Sequence, residues 1–304
     1  MLLPKLAAPC PGPFPGIALA GLALLIPGAL RAQGSLMVNP HRLVLEDAAS
    51  GKHPAGGRGR AAEVLLINGG KEPATFRISF RNMEMNEDGG LVEQPKAAGK
   101  LAAEDLVRFA PRQVVLEPGA SQTVRIQVRK PANLPAGEYR SHMMFRQVPM
   151  VAKAPDPANP EPPAETTFSM TIRPIYGISI PVIIRHGATH VQVRLADLAL
   201  DPPAKPGGAP ALRLNLLREG NRSVLGNLKA TWTPRQGPAT LAGEFRNLAI
   251  YANVPRRRLS LDLPGLSGKG RGAGTLKVEF QDNETRKLAA EAVLELPDDP
   301  APGP

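Results

Sequence analysis

Apolar and polar residues alternate with a period of two in short runs along most of the chain. Phe76, Ile78 and Phe80 alternate with Arg77 and Ser79, and Val124, Ile126 and Val128 alternate with Arg125 and Gln127. Phe168, Met170 and Ile172 alternate in the same way with Ser169 and Thr171. That period belongs to a β-strand with one face buried and the other in water. Between the runs lie Asn68-Gly69-Gly70, Glu87-Asp88-Gly89-Gly90, Pro118-Gly119 and Pro135-Ala136-Gly137. These residue types make turns, because glycine reaches positive φ without strain and proline pre-sets φ. A second series follows His186-Gly187, at Val191, Val193 and Leu195; at Leu212, Leu214 and Leu216; at Leu259, Leu261 and Leu263; and at Leu276, Val278 and Phe280.

Strands of this length at this spacing predict an all-β chain of two immunoglobulin-like β-sandwich domains in tandem. The expected boundaries are residues 33–185 for the first and 186–296 for the second. The 34 prolines and 30 glycines agree, since they favour turns over long helices. Residues 152–163 (AKAPDPANPEPP in context) are too polar and proline-rich to pack and are expected to form a long loop. Residues 297–304 are expected to be a disordered tail. The first 32 residues read as a signal peptide: Lys5, an apolar core from Ile17 to Ile26, then Pro27, Gly28 and the small Ala32. A spanning helix needs about 20 apolar residues, more than this core supplies, so no stable membrane insertion is expected after cleavage. Cys10, the only cysteine, falls in that leader, which leaves no thiol or disulfide in the mature chain.

Charge and candidate chemistry change this picture little. Loss of Lys5 and Arg31 with the leader takes the formal charge from +10 to +8. The basic residues alternate with apolar ones along strands, as on a solvated sheet face, and export argues against nucleic acid as a partner. The run Arg256-Arg257-Arg258 reads as an exposed strand end. No G-x-S-x-G elbow, phosphate loop or dinucleotide fingerprint occurs, so enzyme chemistry has little support and no cofactor is expected. Of five histidines only His186 and His190 are close, and their spacing suits a helix face whereas the segment reads as strand and linker.

Four motifs in succession are more specific: Phe109-Ala110-Pro111-Arg112, Leu116-Glu117-Pro118-Gly119, Gln122-Thr123-Val124-Arg125 and Leu134-Pro135-Ala136-Gly137-Glu138-Tyr139-Arg140. In order and spacing this run resembles the first domain of PapD-like periplasmic pilus-assembly chaperones, with a proline turn, a Pro-Gly hairpin, an apolar-Arg strand and a Leu-Pro loop. Pro111 matches a turn proline that is cis in that family. Residues 218–226 (REGNRSVLG) look like a hairpin of the family's second domain in its less typical branches.

The resemblance implies a periplasmic chaperone that holds pilus or fimbrial subunits by donor-strand complementation and delivers them to an outer-membrane usher. Such subunits expose a hydrophobic groove and unpaired backbone, which a borrowed edge strand can cover. The donor strand would be the segment carrying Phe168, Met170 and Ile172, although the same three side chains could equally face this protein's own core. Two basic residues would bind the subunit's C-terminal carboxylate: Arg42 in the first strand and Arg173, where the family usually has lysine. Arginine can meet a carboxylate bidentately. The family's interdomain arginine after the linker-side tyrosine is missing, because Gly177 follows Tyr176. A self-capping dimer would hide the apolar donor strand. The alternative is a secreted structural or adhesive protein of immunoglobulin-like modules, which needs no basic residue in a cleft.

Overall fold

The computed structural model describes residues 36–46, 60–95, 101–149, 175–205, 207–267 and 273–297. The leader, the proline-rich stretch, the tail, Arg173 and the segment with Phe168, Met170 and Ile172 lie outside the described residues.

The first half contains β1 (Leu36–Asn39), β2 (Leu43–Leu45), β3 (Ala61–Asn68), β4 (Ala74–Arg81), β5 (Met83–Met85), β6 (Leu91–Glu93), β7 (Val107–Ala110), β8 (Gln113–Leu116), β9 (Ser121–Val128), β10 (Gly137–Val148) and β11 (Gly177–His186). Among the described residues they form one sheet in the order β1-β3-β9-β7 and a facing sheet in the order β2-β11-β10-β4-β8. Phe76, Ile78, Val64, Leu66, Val124, Ile126, Met143, Phe145, Ile180, Val182 and Ile184 fill the space between them. Burial of each large side chain is worth about 1.5–3 kcal/mol, which is why the alternating positions decide the facing. At the foot of β10 the Tyr139 hydroxyl donates to the Pro135 carbonyl at 2.8 Å, the corner bond of immunoglobulin sandwiches.

The second half contains β12 (Val191–Asp201), β13 (Ala211–Gly220), β14 (Val224–Pro234), β15 (Thr240–Ile250), β16 (Arg256–Asp262), β17 (Gly274–Asp282) and β18 (Leu288–Leu296). The order β12-β13-β16 faces β15-β14-β17-β18 over a core built on Leu212, Leu214, Leu216, Leu228, Leu276, Val278 and Phe280. The protein is therefore all-β, two sandwiches in tandem.

Two turn assignments need correction. Pro118-Gly119 joins β8 to β9, and residues 221–223 join β13 to β14, yet each pair lies in different sheets. Both are crossings from sheet to sheet, not hairpins. Turn residues fix where the chain reverses, while burial of the next strand's apolar face decides which sheet it joins. Gly119 takes φ +75 at its crossing, where its N–H donates to the Asn68 carbonyl at 2.8 Å. The peptide bonds Asn39–Pro40 and Ala110–Pro111 are cis.

The first strand also changes sheet. β1 runs antiparallel to β3, and after Pro40 and Arg42 the chain re-enters as β2, parallel to β11 with Leu43 opposite Val182. β2 covers only Val182 to Ile184 of that strand. Among the described residues, the edge of β11 from Gly177 to Pro181 has no strand beside it on the β2 side.

Candidate functional site

β10 carries Tyr139, Ser141, Met143 and Phe145 on its core face, so Glu138, Arg140 and His142 point the opposite way. That second face is buried too: Glu138 is 1% and His142 2% exposed. It packs against the second sandwich, where Glu138 meets Ser223 and His142 stacks edge-on against Tyr251. The polar half of the alternation in β10 is thus an interface rather than a wet surface.

The centre of this interface is Arg185 of β11, which sits directly across from Glu138 in the strand register and is 2% exposed. Its Nε donates to Glu138 Oε2 at 3.1 Å, and Nη1 and Nη2 each reach Glu284 of the second sandwich at 2.9 Å. Nη1 also bonds Glu46. Glu138 Oε2 accepts further bonds from Ser223 N and Oγ at 3.1 and 2.9 Å. Burial alone would lower the Arg185 pKa, but Glu284, Glu138 and Glu46 outweigh it and hold the guanidinium above the usual arginine range. Glu284 is held in turn by its own N–H donating to Asp282 Oδ1 at 2.7 Å.

Arg42, placed just ahead of β2, reaches the same cluster. Its Nη2 lies 3.6 Å from Glu284 Oε1, and its side chain is 12% exposed. That nitrogen is buried and makes no hydrogen bond among the described residues. Arg42 therefore has a loosely held cation at the foot of the half-open edge of β11. The β2–β11 register begins one residue on, with Leu43 opposite Val182. Arg173, expected to share its ligand, lies outside the described residues.

Arg140 is the next cation along β10. Its guanidinium lies 3.7 Å over the Tyr251 ring, and Nη2 donates to Met83 O at 2.7 Å and Asn253 Oδ1 at 3.3 Å. Desolvation lowers its pKa, outweighing the opposing charges of Tyr251, Glu138 and Glu84. It lines a cavity of about 280 Å³ with Met83, Glu84, Leu101, Glu138 and Asn253. His142 beside it is pushed down to about 4, first by burial and then by the Arg140 charge, so it is neutral near pH 7.

β5 and β6 form a separate hairpin that belongs to the first half of the chain but pairs with neither of its sheets. Met85 is buried in the second core, and Asn253 Nδ2 donates to the Met85 carbonyl at 2.9 Å. At the tip, Glu87 and Asp88 meet Arg256 and Arg258 at the start of β16. The arginine run is an exposed strand end, as expected, and it also receives the tip of the hairpin. The bridge between the sandwiches does not come from the position of Gly177 but from Arg185, eight residues on. Its sequence signal was a lone charge ending the apolar run Ile178 to Ile184. Among the described residues no group of three His, Cys, Asp or Glu side chains is placed to hold a metal.

No family model matches the chain, and no curated protein matches it. Among solved structures it is similar to the E. coli chaperone DraB, at 14% identity over 86% of this chain and 97% of that one, with a TM-score of 0.40. The class 5 fimbriae chaperone CfaA is 16% identical over 86% of this chain and 98% of its own, with a TM-score of 0.38. A Salmonella enterica complex of the SafA pilin with the SafB chaperone gives 14%, 86% and 96%, with a TM-score of 0.37.

Proposed function

We propose that this protein is a periplasmic chaperone that binds pilus or fimbrial subunits by lending them a β-strand and passes them to an outer-membrane usher. The observation that supports it most is the juxtaposition of a half-open sheet edge with a loosely held arginine. Beside Gly177 to Pro181 a further strand can pair with β11, and the place where it must stop, at the start of β2, is where Arg42 lies. Proline is tolerated in a sheet mainly at edges, and Pro181 sits on this one.

The direction of the guest strand follows from that layout. A subunit strand whose C-terminal carboxylate is held by Arg42 ends at the Val182 side, so it runs parallel to β11. The donated strand reaches back from that edge to Ile172, Met170 and Phe168, which enter alternate pockets of the subunit. Main-chain pairing, apolar burial and the Arg42–carboxylate contact carry the binding, and the mechanism needs no cofactor. Export by the leader places the protein where such subunits emerge.

The test is co-expression in a bacterial periplasm with a small secreted β-rich subunit encoded near this chain. A complex is expected with the unchanged protein, with affinity falling at least about tenfold in Arg42→Ala, because losing one partner of a desolvated charge pair costs 2–5 kcal/mol. Extending the subunit by two residues beyond its carboxylate should weaken it similarly. Equal binding by Arg42→Ala and by the unchanged protein would refute the reading.

A further inference from the structure

We propose that the β5–β6 hairpin is an electrostatic latch that fixes the angle between the two sandwiches. Its tip is seated on the start of β16 by all three arginines of one run. Glu87 accepts from Arg256 Nη2 at 2.8 and 3.1 Å, and its carbonyl accepts from the Arg258 backbone N–H at 2.7 Å. Asp88 is gripped at both oxygens by Arg258, at 2.8 and 3.1 Å. Arg257 lies flat against Gly89, where a Cβ would meet its Nη2 at 2.3 Å and where φ is +84. Gly89 is favoured there by its positive φ, which side chains rarely adopt, and the Arg257 guanidinium packs on it.

The base of the hairpin is held on the other side. Arg140 Nη2 bonds the Met83 carbonyl, and the Gln94 N–H donates to the Asn82 carbonyl at 2.8 Å. The hairpin therefore spans from a strand of the first sandwich to an edge strand of the second. Beside the burial of Met85 in the second core and the bonds of Asn253 to Met85 and Arg140, two charged ties join the sandwiches among the described residues, and they differ in kind. The Arg185 cluster is buried and screened little by salt, whereas the side chains at the tip are 36–65% exposed. Contacts between exposed charges weaken as ionic strength rises. The first tie acts as a permanent hinge pin, and the second sets how far the pair can swing about it. This inference is independent of the proposed function.

The experiment is pulsed electron–electron distance measurement on the full chain, spin-labelled at Gln122→Cys and Thr240→Cys with Cys10→Ser. Both labelled positions are exposed strand residues, one in each sandwich. The unchanged hairpin should give a narrow distance distribution at about 0.05 M salt that broadens about twofold at about 1 M, where the Debye length is near 3 Å. The Glu87→Lys, Asp88→Lys double variant should be broad at low salt. Exchanging one pair, Asp88→Arg with Arg258→Asp, should restore the narrow distribution. A double variant as narrow as the unchanged protein overturns the proposal. If that variant fails to fold by circular dichroism, the salt series on the unchanged hairpin decides alone, and a width that ignores salt overturns it.

Discussion

Replacing Arg185 by methionine is the most demanding test of the interface. Methionine keeps the length and apolar stem of the side chain but removes the charge, leaving Glu138 in a site that is 1% exposed. Glu138 would retain only the two bonds from Ser223. Glu284 suffers less, because Arg42 and Arg222 lie 3.6 and 3.8 Å from its carboxylate and its side chain is 13% exposed. Removing one partner of a buried ion pair costs about 3–5 kcal/mol, and Glu138 is the group on which that cost falls. Against a total of about 5–15 kcal/mol this is a large share of the stability. Urea denaturation followed by circular dichroism should show it at pH 7. Because the cluster joins the sandwiches, the variant should also split one transition into two.

One control separates the orphaned charge from lost packing. Adding Glu138→Gln should recover most of the loss, since a neutral amide is cheaper to bury than a carboxylate. A loss below about 1 kcal/mol at pH 7, or one that Glu138→Gln leaves untouched, would refute the assignment of Arg185 as the pin of the interface.

Three further outcomes follow from single contacts. His142 has a folded-state pKa of about 4 against about 6.5 unfolded, so its contribution is whole above pH 6.5 and is lost as pH falls toward 4. Up to about 3 kcal/mol of acid destabilisation should vanish in His142→Leu, seen by comparing urea midpoints at pH 7 and about 4.5. Gly226→Ala would set a Cβ 2.4 Å from both the Gln281 carbonyl and the Phe280 ring, and should cost about 1–3 kcal/mol in the same assay. Tyr139→Phe removes only the bond to Pro135 and should cost about 0.5–1.5 kcal/mol; no loss would show that the corner bond is dispensable.

The sequence by itself determined the strands and their faces. Alternation at Phe76, Ile78 and Phe80, or at Leu276, Val278 and Phe280, is a local property of the backbone pleat, and every one of those six side chains is buried. Chain reversals were equally local, as at Asn68, whose side chain caps its own turn by accepting from Gly70 N at 2.9 Å. Which sheet each strand joins was not local, so two crossings read as hairpins. Nor could alternation say what the polar faces meet. It does not tell that the second sandwich covers Glu138, Arg140 and His142, or that the hairpin docks on the exposed strand end at Arg256 to Arg258. A charge in water and a charge paired across an interface have the same residue type and spacing in sequence. Only the tertiary structure brings Arg185, Glu138, Ser223 and Glu284 together across long separations in the chain, and it sets Arg42 at the end of the edge of β11 that is open among the described residues.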